Sequence, residues 1–113
     1  MANTYELSDG TRLKKSTIDR LVKECKDRVS QAVINDQGYL VCEDCRRNDC
    51  QPVERSHNIS VDMCQKLGVT EYAYADENIT HRGQPCHKIY DSKPNRDLIN
   101  KLLARLKPNS NQF

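Results

Sequence analysis

Tryptophan is missing from this chain of 113 residues, phenylalanine occurs once, and the apolar fraction is only 36%. So few large apolar side chains predict one domain, spanning residues 1–113, with a core that is thin for its length and needs a second source of stability. Long hydrophobic runs are missing too. No stretch approaches the roughly 20 apolar residues that cross a bilayer, and the opening MANTYELSDGTRLKK carries neither an apolar segment nor a small-residue cleavage pattern. Both absences predict a soluble, cytoplasmic protein with no membrane partner. Internal repeats, low-complexity tracts and long linkers are likewise lacking.

Cysteine, by contrast, is plentiful, with six residues in the chain. That density would suggest disulfides in a secreted protein, but in a reducing compartment it points to metal thiolates, which would supply the missing stability.

A strong charge of one sign is also absent, since the formal net charge is only +2. Its distribution is uneven, however. Residues 77–113 hold seven Lys and Arg against three acids, whereas residues 37–76 hold four against seven. A polyanion would be drawn to the C-terminal third and to RLKKS near the start.

The local patterns predict a mixture of short strands and helices. Asp9-Gly10 in YELSDGTRL is a hairpin signal. From Ser16, a candidate cap, the residues Ile18, Leu21, Val22, Cys25, Val29 and Val33 recur at three- and four-residue steps, which predicts a helix to about residue 34 with Cys25 in the core. Asp36-Gln37-Gly38 breaks it, and GYLVCEDC reads as a strand running into a cysteine turn. PVERS reads as a second strand, and VDMCQKL as a short helix capped by Ser60, closed by Gly68 and burying Cys64. Over 94–107 Pro94 suits a helix start, and Leu98, Ile99, Leu102, Leu103 and Leu106 form a stripe that should fold onto the core. The exposed apolar residues of this last helix could pair two copies, so monomer and weak homodimer both stay open.

Two residue sets can do chemistry. Cys42-Glu43-Asp44-Cys45 has the spacing at which two thiolates bind one zinc ion, and Cys86 with either His81 or Cys50 would complete a tetrahedron. The His81 choice pairs gaps of two and four residues. Reduced thiols without metal are the plain alternative, and a thioredoxin-like role lacks the surrounding βαβ pattern. In CHKIYD, His87 and Asp91 stand four apart, so a helix would place both on one face, able to grip a divalent ion or simply to hydrogen-bond each other.

In order, CEDC, SHNIS, ENI and CH resemble the HNH endonuclease family, and SHNISVDMCQKLG, TEYAYADENI and PCHKIYD look like small HNH proteins of phage type. The resemblance covers roughly residues 38–92. It implies an α+β fold, a small zinc-stabilised ββα-metal core flanked by an N-terminal hairpin and helix (4–34) and a C-terminal helix (94–107). It also implies a metal-dependent DNA endonuclease in which His57 is the general base, Asn78 holds the base's loop, and His87 binds a catalytic Mg²⁺, Mn²⁺ or Ni²⁺ ion, with Asp91 as a second ligand. Arg82, Lys88 and Arg96 are then candidate phosphate contacts.

The chain departs from the family pattern twice. Ser56 stands where the family has an Asp or His ligand just before the base, and Gly83 stands where it has a third zinc cysteine. The first departure keeps a second reading open, a catalytically weak, zinc-stabilised module that binds nucleic acid or protein on the same scaffold.

Overall fold

The computed structural model describes residues 3–93 and 95–107. Its architecture is α+β, with two small antiparallel sheets and four α-helices. Strands β1 (Thr4–Glu6) and β2 (Arg12–Lys14) form the expected hairpin around Asp9-Gly10, where Gly10 takes a φ of 89°.

Strand β2 runs directly into α1 (Lys15–Gln37), so Ser16 is not the cap. Lys14 precedes the helix without a side-chain cap, because it still pairs with Thr4 in the hairpin and the Lys15 N–H is already taken by the Asn3 carbonyl at 3.2 Å. Ile18 and Cys25 are fully buried and Val22 packs on the core, as the stripe predicts. The outer face carries i,i+4 ion pairs, Lys15–Asp19, Arg20–Glu24 and Lys23–Asp27. Gly38 ends the helix at φ 87°, its N–H bonded to the Ile34 carbonyl at 2.8 Å.

The strand expected at GYLVCEDC does not form. Residues 38–52 are irregular, and one backbone bond, from the Glu43 N–H to the His81 carbonyl at 2.8 Å, lays this segment beside the second sheet. The chain turns away at once, as the Arg46 N–H reaches back to the Cys42 carbonyl at 2.9 Å, so no ladder can propagate.

That second sheet positions the candidate site. Strands β3 (Val53–His57) and β4 (Ile79–Gly83) pair from Val53↔Gly83 to His57↔Ile79, and α3 (Gln84–Asp91) follows β4 without a linker. Between the strands lie α2 (Val61–Lys66) and two 3₁₀ turns, Thr70–Tyr74 and Asp76–Asn78. Ser60 caps α2 by accepting from the Met63 N–H at 3.1 Å, and Gly68 follows it at φ 71°.

Helix α4 spans Arg96–Leu106 and is capped by Asn95, whose side chain accepts from the Leu98 N–H at 3.2 Å. Pro94, the expected start, lies outside the described residues. Ile99, Leu102 and Leu103 are buried with Tyr72, Ala73 and Cys64 in one cluster, and Leu98 and Leu106 pack at its edge. Each such side chain contributes about 1.5–3 kcal/mol of burial. Among the described residues no helix is long and apolar enough to cross a membrane.

Candidate metal centre and active site

The irregular segment after α1 and the first turn of α3 bring four cysteines together. The sulfurs of Cys42, Cys45, Cys50 and Cys86 all lie within 4.8 Å of one another, with Cys50 and Cys86 3.8 Å apart. A tetrahedral zinc ion with Zn–S bonds of about 2.3 Å requires sulfurs about 3.8 Å apart, so the donor set fits zinc in number, chemistry and spacing. Burial pushes the Cys42 thiol up, but backbone N–H groups of Cys45, Gly83 and Asp44 directed at its sulfur bring it down to about 6. Cys86 donates toward Cys42 and is pushed up to about 12. The cluster therefore holds a ready thiolate beside thiols that a bound cation would deprotonate.

His81 is not part of this cluster. It is buried on β4, with Nε2 2.8 Å from the Ser30 hydroxyl and Nδ1 3.1 Å from a Glu43 oxygen, so both ring nitrogens are engaged away from the cysteines. The fourth position belongs to Cys50, and Gly83 shows why. A Cβ built on Gly83 would stand 2.6 Å from the Cys50 carbonyl carbon and nearer still to its oxygen and sulfur. Cys50 thus occupies the space that a cysteine at position 83 would need.

At the far end of β3, the His57 Nε2 lies 2.9 Å from the Ala73 carbonyl oxygen. A carbonyl only accepts, so Nε2 carries the proton, and in the neutral ring Nδ1 keeps its lone pair. Burial lowers the His57 pKa from its ordinary 6.5, and the positive charge of Lys26 adds to that, against the Ala73 hydrogen bond. His57 lines a cleft of about 260 Å³ together with Ser60, Tyr90, Asp91 and Lys93. The ring is held like a base, anchored through one nitrogen with the other left as an acceptor.

Asn78 is fully buried and clamps the segment that follows His57. Its Oδ1 accepts from the Ile59 N–H at 2.8 Å, and its Nδ2 donates to the Ile59 carbonyl at 2.9 Å and to the Tyr72 carbonyl at 3.0 Å. Its own carbonyl accepts from the Asn58 N–H at 2.8 Å. Across the cleft the Tyr90 hydroxyl donates to the Asn58 carbonyl at 2.6 Å, tying α3 to the same loop.

His87 and Asp91 share one face of α3, with Nε2 to Oδ2 at 3.1 Å. Adjacent ligands of an octahedral ion with bonds of about 2.1 Å stand about 3 Å apart, so this pair could hold two corners of such a shell. The other His87 nitrogen, Nδ1, is 2.8 Å from a carboxylate oxygen of Glu54 on β3. Sequence reading missed Glu54, whose partner lies 33 positions away; its place three residues before His57, on the strand face shared with Ser56, was the available signal. Among the described residues only the four cysteines bring three or more potential ligands together, so this second location has two protein donors at most.

The side chains around Ser56 are arranged against a cation there. The Arg82 guanidinium donates to the Ser56 hydroxyl at 2.9 Å and to Asp44 at 2.7 Å, and stacks over the Tyr90 ring at 3.7 Å. Its positive charge occupies the surroundings of the position where the resemblance would place a ligand. Only 5% exposed, Arg82 is also not the phosphate contact expected of it. Lys88 and Arg96 are exposed as expected, and Lys93, which was not singled out in the sequence, lines the cleft beside His57.

Comparison with protein-family models, with curated proteins and with solved structures finds no match to this chain.

Proposed function

We propose that the chain is a zinc-stabilised, metal-dependent endonuclease that hydrolyses phosphodiester bonds in DNA. One observation carries the reading: the His57 ring is anchored through Nε2 to a backbone carbonyl, which leaves Nδ1 as its acceptor, and His57 is one of the residues that line a cleft with Asp91 and Lys93. The resemblance to HNH endonucleases, which rests on sequence, adds the asparagine that holds the base's loop and the helix histidine; Asn78 and His87 occupy those positions. Zinc at Cys42, Cys45, Cys50 and Cys86 would hold the segment after α1 against α3 and serve structure rather than reaction.

In this reading DNA phosphate enters the cleft that Lys93 lines, and the exposed Lys88 and Arg96 serve as further cationic contacts. Neutral His57 takes a proton from water onto Nδ1 as the water oxygen bonds to phosphorus and the bond to the 3′-oxygen breaks. A divalent ion, Mg²⁺, Mn²⁺ or Ni²⁺, held by His87 and Asp91 would supply polarisation of the phosphate and stabilisation of the leaving oxygen. Asn78 keeps the His57 loop in place by bonding both polar groups of the Ile59 backbone.

The cation already fixed beside Ser56 favours a second reading, a module that binds nucleic acid or protein without cutting it, because it leaves the ion one ligand direction fewer. Plasmid nicking with each of the three metals, run beside His57→Ala, separates the two. Metal-dependent nicking lost in His57→Ala supports the enzyme, whereas DNA binding with no nicking under any metal overturns it.

A further inference from the structure

We infer that Glu54 is a positioning residue that holds His87 in the tautomer able to bind a divalent cation, an inference that rests on the metal role of His87 proposed above. The His87 ring lies between two carboxylates, with Nδ1 2.8 Å from Glu54 and Nε2 3.1 Å from Asp91. Carboxylate oxygens only accept, so a neutral ring satisfies one of these contacts with its single N–H and turns a lone pair toward the other.

The fold decides which nitrogen does which. Nε2 faces Asp91, one turn further along the same helix and itself part of the cleft lining, whereas Nδ1 faces back onto β3. Glu54 is held on a paired strand opposite Arg82, while Asp91 is exposed at the end of α3. The partner fixed on the strand therefore takes the N–H, and the more exposed Asp91 faces the nitrogen that keeps the lone pair. A histidine whose second nitrogen donates to a carboxylate is a more basic and better oriented ligand, and losing such a partner typically weakens metal binding by 10- to 100-fold. The Glu54 charge also offsets part of the cation's charge without occupying its shell. No carboxylate besides Glu54 and Asp91 contacts His87 among the described residues.

The test uses the full chain with its cysteine site loaded with zinc and no DNA present. Mn²⁺ binding is read by the loss of the free-ion electron paramagnetic resonance signal, and the His87 tautomer by ¹⁵N chemical shifts before metal is added. The wild type is expected to show a protonated Nδ1 and to bind Mn²⁺. Glu54→Ala should weaken that binding roughly 10- to 100-fold and shift the ring toward the Nε2–H form. Glu54→Gln, which keeps an accepting oxygen and loses the charge, should fall between them; being isosteric, it keeps the test sound if the alanine variant folds poorly. Unchanged Mn²⁺ affinity in both variants, or a wild-type ring protonated at Nε2, overturns the inference. His87→Ala separates this from the parent reading: if it binds Mn²⁺ as tightly as the wild type, the metal role of His87 fails and the inference with it. Mn²⁺ binding lost with Glu54 in a protein that cuts no DNA would instead support the inference and sink the nuclease.

Discussion

Cys50 fills the space beside Gly83 so closely that a methyl group there would overlap its sulfur and its backbone. Cys50 so takes the space that a cysteine at 83 would need and completes the cluster, while His81 is held away from it by Ser30 and Glu43. This arrangement leads to the first prediction: protein purified without added metal carries one equivalent of zinc, Cys50→Ala carries less than about half, and His81→Ala keeps its zinc. Gly83→Ala should lose zinc as well, and combining it with Cys50→Ala should not restore stability, because the Cys50 backbone stays in the way of the added methyl group. Elemental analysis and thermal melts read all four. Chelation should unfold the wild type if thiolate–zinc bonds supply much of the folding free energy.

The environment of His57 sets a pH window. Burial holds its folded-state pKa below the ordinary 6.5, so as pH falls the unfolded chain takes up this proton first. Stability contributed by the neutral ring is therefore complete above about 6.5 and is lost as pH drops through the folded value. Cleavage should fall over the same acid range, because a protonated Nδ1 accepts nothing, and His57→Ala should cut the rate by roughly 10²-fold or more. Titration of the His57 ring by nuclear magnetic resonance with a midpoint above 6.5 would refute both statements.

Asn78 makes three side-chain hydrogen bonds in full burial. Asn78→Ala strands the Ile59 N–H and two carbonyls, at an expected cost of about 3 kcal/mol in denaturant unfolding. If the variant melts like the wild type, the clamp is not holding the loop.

The cations divide into structural and exposed. Arg82→Lys loses the fork that reaches Ser56 and Asp44 together and should lower the melting temperature. Lys93→Ala should leave stability unchanged, weaken DNA binding and reduce the salt dependence of affinity by about one phosphate contact. A Lys93→Ala protein with unaltered salt dependence would exclude Lys93 from the DNA contact surface.

Local periodicity was enough to determine α1 and α4, because an apolar residue every three or four positions has one helical solution, and α2 was legible from Ser60, which caps it through a bond spanning three residues. Cys42 and Cys45 were legible as a pair for the same reason, since two thiols in one turn are neighbours in any fold. Contacts made across the chain were not legible in this way. Cys50 and His81 were equally eligible fourth ligands in sequence, and only the packing of Cys50 against Gly83, with His81 drawn off to Ser30 and Glu43, decided between them. Arg82 reads as a surface charge until β4 carries it between Ser56, Asp44 and Tyr90. Glu54 has no meaning for His87 until β3 and α3 close a gap of 33 positions. Helices and caps are local bonds, whose partners are set by position in the chain, whereas the surroundings of a polar side chain in a site are chosen by whichever distant segments the core brings alongside it.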